Sequence, residues 1–262
     1  MPVPVLLYHH VSGDREITPA GFERQLRYLS ENGYSTPSMP DFITWMRGDK
    51  ELPGKSVLLT FDDGYADNWI CAWPLLKKYG LRAAVFVTTS KIGGFAPRPT
   101  IADGAAAPDT IRDERGEQGF LSWQELRLMV DSNVFDVGSH THTHNNFDKR
   151  AAWVDMREEL RKSSEIIKER LGVKPVSLAW PWGYFVPHFP GYAAEEGYTA
   201  MFTVRPGANV AGGDLRAIRR FKVQNENIGW LARRLWLYRQ PALAELYGRA
   251  YGLDRKIKRL FL

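Results

Sequence analysis

Short apolar, β-branched segments alternate with amphipathic helical ones along most of this chain, and that alternation constrains the fold more than any single motif. Neighbouring parallel strands must be joined by a crossover of a dozen or more residues, and the intervening helical segments supply it. Residues 3–11 read as the first strand. A helix follows, with Thr18 as its cap, Pro19 in its first turn, Phe22, Leu26 and Leu29 at helical spacing and a stop at Asn32-Gly33. Next come a shorter helical piece over 41–47, a strand over 56–61, a Trp-rich helix over 66–79 that stops at Gly80, and a strand over 81–88. Ser122 and Glu125 form a capping box that opens a helix to about residue 132, and a short strand then ends near Val137. A long amphipathic helix over 150–171 carries Trp153, Met156, Leu160 and Ile167 on one side. Strands at 176–180, 198–204 and 217–223, with a helix across 192–196, complete a pattern that predicts a parallel α/β sheet. A chain of 262 residues with 44% hydrophobic content suits a single α/β barrel with a large core.

Two regions depart from the alternation. Residues 90–120 hold Gly93-Gly94, three prolines and Ala105-Ala106-Ala107, an irregular connection expected to wall one side of a site, with a disordered loop as the alternative. Residues 225–262 read as two basic amphipathic helices, 228–237 and 243–260, appended to a unit spanning 1–224. From 216 onward the chain carries twelve Lys/Arg against three Asp/Glu, a local +9, while the rest has 23 against 27, a net of −4. Two readings of that basic end stand: peripheral contact with an acidic polymer, carrier lipid or anionic membrane surface, or a plain solvated helix face. No nucleic-acid partner is expected. Cys71 is the single cysteine, which excludes an internal disulfide and reads as a buried thiol. No charged n-region precedes the first strand and no run approaches about eighteen apolar residues, so the chain is expected to be soluble and cytoplasmic.

The chemistry concentrates where strands end. Leu59-Thr60-Phe61-Asp62-Asp63-Gly64-Tyr65 runs an apolar strand into two adjacent carboxylates and a glycine. In barrels of parallel strands, catalytic groups sit at that C-terminal edge. About eighty residues on, Phe135-Asp136-Val137-Gly138-Ser139-His140-Thr141-His142-Thr143-His144 places three of six histidines within five positions. Clustered imidazoles after a strand end point to a metal, and two histidines with one carboxylate and an open position for water form a hydrolytic zinc arrangement.

Thr60-Phe61-Asp62-Asp63-Gly64 and Ser139-His140-Thr141-His142-Thr143-His144 resemble, in order and separation, the first two motifs of the NodB-type polysaccharide deacetylases, a carbohydrate esterase family. The resemblance continues through Leu7-Tyr8-His9-His10-Val11, through Ala179-Trp180-Pro181-Trp182-Gly183 and through residues 215–223, and so spans 3 to about 224. The early Tyr-His pair and the late Arg-Phe-Lys-Val strand look most like the branch acting on poly-N-acetylglucosamine. The resemblance implies an incomplete (β/α) barrel and a metal-dependent N-deacetylase of N-acetylglucosamine-type sugars or exopolysaccharide. It implies Asp63, His140 and His144 as metal ligands, Asp62 as the base that deprotonates the attacking water, and the backbone N–H of Tyr65 as an oxyanion donor. Zinc is the expected ion, with cobalt, nickel or iron suited to the same ligands. His142 is expected beside the metal rather than on it, since two imidazoles and a carboxylate already leave one position for water.

The sequence departs from the commoner pattern in two places. No histidine follows His188, so the family's late Leu-x-His acid is missing; His9 at the first strand's end is the expected general acid and His188 the alternative. The Arg-x-x-Pro-Tyr motif that orients the base is missing too, which leaves Arg220 either in that role or in a plain salt bridge. Trp182, beside Pro181 at a strand exit, is expected to stack on sugar; Trp180 serves core or sugar equally well. Rival functions are a deacetylase of a lipid-linked or nucleotide-linked amino sugar, and an inactive carbohydrate-binding homologue, which the intact acid and histidine set disfavours. A metallophosphoesterase would want more carboxylates and a second metal.

Overall fold

The computed structural model describes residues 1–13, 17–108, 119–145 and 155–260. Seven strands form one sheet in which every hydrogen-bonded neighbour is parallel. They are β1 (Val5–Tyr8), β2 (Leu58–Phe61), β3 (Ala83–Val87), β4 (Phe135–Ser139), β5 (Ser177–Ala179), β6 (Ala200–Phe202) and β7 (Phe221–Lys222), in the order β6-β5-β4-β3-β2-β1-β7. Strands β1, β2 and β3 are buried along their whole length, as expected of a parallel sheet covered on both faces. The helices are α1 (Pro19–Glu31), α2 (Met39–Arg47), α3 (Trp73–Tyr79), α4 (Trp123–Asp131), α5 (Met156–Leu171), α6 (Phe189–Glu195), α7 (Ile228–Tyr238) and α8 (Pro241–Leu260).

Side chains alternate across each strand, so the sheet has an inner and an outer set. Leu6, Tyr8, Leu59, Phe61, Val85 and Val87 point outward into the main core beneath the helices. Val5, Leu58, Ala84, Phe86, Ala179 and Phe202 point inward and meet Met39, Phe42 and Met46 of α2, which plugs the bottom. Gly138 of β4 shares that inner face: a Cβ there would lie 2.5 Å from the Phe86 ring and 2.6 Å from Ser177 Oγ.

The sheet curls until its two edges nearly meet. Residues 215–218 bond to β6 through Met201 N–H to Leu215 O (2.7 Å), Ile218 N–H to Met201 O (2.9 Å) and Thr203 N–H to Ile218 O (2.8 Å). The same segment then crosses to β1, where Leu6 and Leu7 face Phe221 and Lys222. The result is an incomplete (β/α) barrel. The single strand expected over 217–223 is therefore two short pieces, because one segment serves both edges.

Local chemistry explains the other departures. The helix expected over 66–79 begins as a π-helical turn, Asn68–Ala72, and becomes α-helical only at Trp73. Pro74 has no N–H to donate and its ring crowds the carbonyl four residues back, so the regular ladder cannot run through. Thr18 caps α1 by accepting from Gly21 N–H, and Ser122 with Glu125 forms the expected capping box on α4. The long helix starts at Met156 behind the Asp155 cap, with Met156, Leu160 and Ile167 buried; Trp153 and the expected start at 150 lie outside the described residues. Within 90–120, Arg98 clamps Glu125 at 2.8–2.9 Å and Phe120 stacks on Tyr65, while 109–118 lie outside the described residues. Leu231, Leu235 and Tyr238 of α7 enter the main core. Cys71 is buried, and burial pushes its thiol up to about 12. No helix among the described residues is long and apolar enough to cross a membrane.

Because the inner face has no room at Gly138, Gly138→Ala should destabilise the protein by roughly 1–3 kcal/mol through overpacking. Gly191→Ala, whose added Cβ meets nothing within 4 Å in α6, should be neutral or slightly stabilising. Urea midpoints for the two variants check the contrast.

Candidate metal and acid-base site

Two-residue periodicity carries the inner faces of four strands into one cluster at the barrel mouth. Thr60 leads to Asp62, Leu7 to His9 and Gly138 to His140, while Ile218 leads to Arg220 on the closing segment. His10, one residue on, takes the outer side: its Nδ1 lies 2.7 Å from Asp67 Oδ2 and its ring stacks on Tyr65 at 3.8 Å. Asn68, in the π-helical turn, donates to His9 O at 2.9 Å and so pins the end of β1.

Asp63, His140 and His144 converge. Asp63 Oδ1 lies 3.4 Å from His140 Nε2 and 3.1 Å from His144 Nε2, and one ligand atom from each of the three residues falls within 4.8 Å of the others. His140 Nδ1 lies 2.7 Å from Ala179 O, and a carbonyl only accepts, so Nδ1 carries the hydrogen. Burial lowers the His140 pKa to about 4, which leaves the ring neutral near pH 7 and Nε2 bare. A bare nitrogen facing a carboxylate is repulsive unless a cation lies between them, and the donor set suits a divalent ion. Burial alone would raise the Asp63 carboxyl; the His144 hydrogen bond, with the imidazoles of His140, His144 and His9 close by, instead holds it far below the usual range.

Asp62 turns to a different partner. Arg220 donates to Asp62 Oδ1 at 2.7 Å and to Oδ2 at 2.8 Å, a bidentate pair with both side chains buried. Arg220 also donates to Thr203 O (2.9 Å) and Thr60 Oγ1 (3.2 Å), and its guanidinium lies 5.6 Å and 5.8 Å from the Phe86 and Phe202 rings. Burial would push the Asp62 carboxyl up, but the Arg220 charge and hydrogen bonds, with His140 and His9, keep it below the ordinary carboxylate value. The two adjacent acids are thus separated: one faces imidazoles, the other a guanidinium.

The remaining expected residues fall as follows. His142 turns aside, its Nδ1 2.9 Å from Thr89 Oγ1. Trp182 is 63% exposed, and its ring lies 5.5 Å from that of His144; Trp180 is fully buried and stacks on Phe185 and Phe189 in the core. Pro181 is buried in the short helical turn Pro181–Gly183. The Tyr65 backbone follows the Gly64 turn. His188 is exposed at the start of α6, where its ring meets Phe189 and Tyr192. His9, Arg220 and Trp182 line one cavity of about 460 Å³.

Sequence reasoning missed Glu159. Its buried carboxylate on α5 accepts from His142 N–H (3.0 Å), Thr143 N–H (2.8 Å) and Thr143 Oγ1 (2.7 Å), and so holds the histidine loop. An acid on the buried stripe of an amphipathic helix, between Met156 and Leu160, was the available signal. The loop needs holding because Thr141 and His144 adopt left-handed backbone, at φ 65° and 56°.

Fold and site together define a hydrolase built on an incomplete parallel barrel, with its acids and imidazoles gathered at the C-terminal mouth. The family profile described as polysaccharide deacetylase matches residues 49–201. YxkH of Bacillus subtilis is 25% identical over 223 residues, covering 84% of this chain and 71% of the relative. The poly-beta-1,6-N-acetyl-D-glucosamine N-deacetylase of Escherichia coli K12 is 26% identical over 221 residues, 73% of this chain but only 31% of that protein. The structure of IcaB from Ammonifex degensii superposes with a TM-score of 0.73 at 26% identity, covering 89% of this chain and 97% of the other. This chain belongs to the polysaccharide deacetylase family and is a deacetylase.

The neutral state of His140 has a consequence for stability. Its folded pKa of about 4 lies below the 6.5 of the free side chain, so between those values the unfolded chain binds the proton first. Chelated protein should therefore lose stability as pH falls from 6.5 towards 4, by on the order of 3 kcal/mol. Urea unfolding at pH 7 and 4.5 measures the loss, and His140→Asn should lack it.

Proposed function

We propose that this protein removes N-acetyl groups from N-acetylglucosamine-type sugars or polysaccharide, with Asp63, His140 and His144 holding one divalent metal. The observation that carries the reading is the division of the two acids: Asp63 against two imidazoles, Asp62 clamped by Arg220 at 2.7–2.8 Å. The chemistry such an ion supplies when bound is Lewis-acid polarisation of the acetamide carbonyl and acidification of a water molecule. Zinc fits the set by default, and cobalt, nickel or iron suit the same ligands.

Asp62 takes the proton from the attacking water. Each of its oxygens keeps a lone pair beyond the one bonded to Arg220, and the fork fixes the carboxylate plane. Arg220 acts as a positioning residue for that base. His9, on the inner face at the end of β1, gives a proton to the departing amine; its place in the cavity with Arg220 and Trp182 favours it over exposed His188. The Tyr65 N–H, just after the Gly64 turn, donates to the developing oxyanion. Trp182 offers its exposed ring to a sugar face, and Pro181 anchors the turn that presents it. His142 supports the loop through Thr89.

Acetate release from N-acetylglucosamine oligomers, on chelated protein and after adding zinc or cobalt, tests the reading: release should require metal. Asp62→Asn should keep the metal and lose turnover, and loss of metal on elemental analysis would mean that the roles of the two acids are reversed. His9→Ala should cut kcat about a hundredfold or more, as for a lost general acid; the same loss in His188→Ala instead would move the assignment there.

A further inference from the structure

The cavity of about 460 Å³ that His9 and Arg220 line is also lined by Trp230, Arg234 and Tyr238 of α7 and Tyr247 of α8. Among the described residues no Asp or Glu lines it, whereas Arg220, Lys222 and Arg234 do. Arg220 is taken up by Asp62. Arg234 is different: its guanidinium lies 5.5 Å from the Trp230 ring and 4.5 Å from the Tyr247 ring, and among the described residues it pairs with no carboxylate. The acids nearest in sequence are committed elsewhere. Glu226 accepts from Thr18 and Arg24, and Glu245 pairs with Arg219 and Arg249.

A guanidinium held against aromatic faces keeps its in-plane N–H donors for another ligand. A half-buried cation in a concave wall, with no carboxylate among its described partners, is matched by an anion, and the fork geometry suits a planar carboxylate or two phosphate oxygens. The geometry points to an anion subsite: Arg234 takes a phosphate or carboxylate carried by the substrate next to its N-acetylated sugar. The inference rests on the deacetylase reading above and narrows it from neutral polymers to acidic amino-sugar substrates. It also gives the basic C-terminal helices a role at the site.

Three substrates separate the outcomes: neutral N-acetylglucosamine oligomers, N-acetylglucosamine 1-phosphate, and an N-acetylated oligosaccharide containing a uronate. With zinc-loaded protein, kcat/KM for an anionic substrate should exceed that for the neutral one by about tenfold or more, the scale of one charge-assisted contact. Preference for the phosphate or for the uronate identifies the source of the anion. Arg234→Gln should collapse the anionic-to-neutral ratio, and Arg234→Lys should keep part of it. Equal kcat/KM for all three substrates, or a ratio that survives Arg234→Gln, overturns the subsite. Acetate release from none of them would remove the deacetylase reading, and the subsite is then decided by calorimetry of inorganic phosphate on chelated protein. Binding that weakens about tenfold in Arg234→Gln supports it, and no binding overturns it. Should Arg234→Gln fail to fold, Arg234→Lys in the same measurements keeps the test open, with a smaller fall in the ratio expected.

Discussion

Arg220 reaches Asp62 from the closing segment of the barrel, and the surrounding structure is arranged to satisfy that buried cation. Its donors are used on Asp62, Thr203 O and Thr60 Oγ1, which ties β2 to the end of β6 through one side chain. A buried ion pair adds little over an apolar contact, but removing one partner costs about 3–5 kcal/mol because the other is left uncompensated. The pair therefore specifies more than it stabilises. It fixes where the closing segment must lie, and the same contact holds Asp62 ionised and in plane. Phe86 and Phe202 beneath the guanidinium keep water from the inner face, which strengthens the electrostatics above them.

Much of this was legible in the chain. The alternation of strand and helix gave the parallel sheet, and the inner and outer assignment of His9 and His10 followed from a period of two. Asp62, Asp63, His140 and His144 announced themselves because chemistry at strand ends is local in sequence. What stayed hidden is non-local. Arg220 could be read either in a plain salt bridge or in the role of orienting an acid, since nothing near it names Asp62. The split of residues 217–223 between two edges depends on how far the sheet curls, which no window of sequence contains. Pro74 did mark the break in its helix, yet the Trp-rich apolar pattern around it reads as continuous. Glu159 was visible only as an acid out of place on a buried stripe.

The C-terminal helices join positive charge to packing. Beside their basic residues, Leu231 and Leu235 are fully buried and Tyr238 stacks on Phe221 at 4.5 Å. One face of α7 completes the core, and another lines the cavity with Trp230 and Arg234. A helix that does both cannot move without disturbing β7, which pairs with β1 and so reaches His9.

Asp62 and Arg220 are 158 residues apart, and the order of synthesis gives that separation a meaning. When the first six strands have emerged from a ribosome, Asp62 already sits at the end of β2 with no guanidinium to meet it. The nascent barrel must keep that carboxylate hydrated, and hence its mouth open, until the last strand arrives. The family match ends at residue 201, so a fragment cut to that match would carry Asp63, His140 and His144 and still lack the cation that lets the barrel shut.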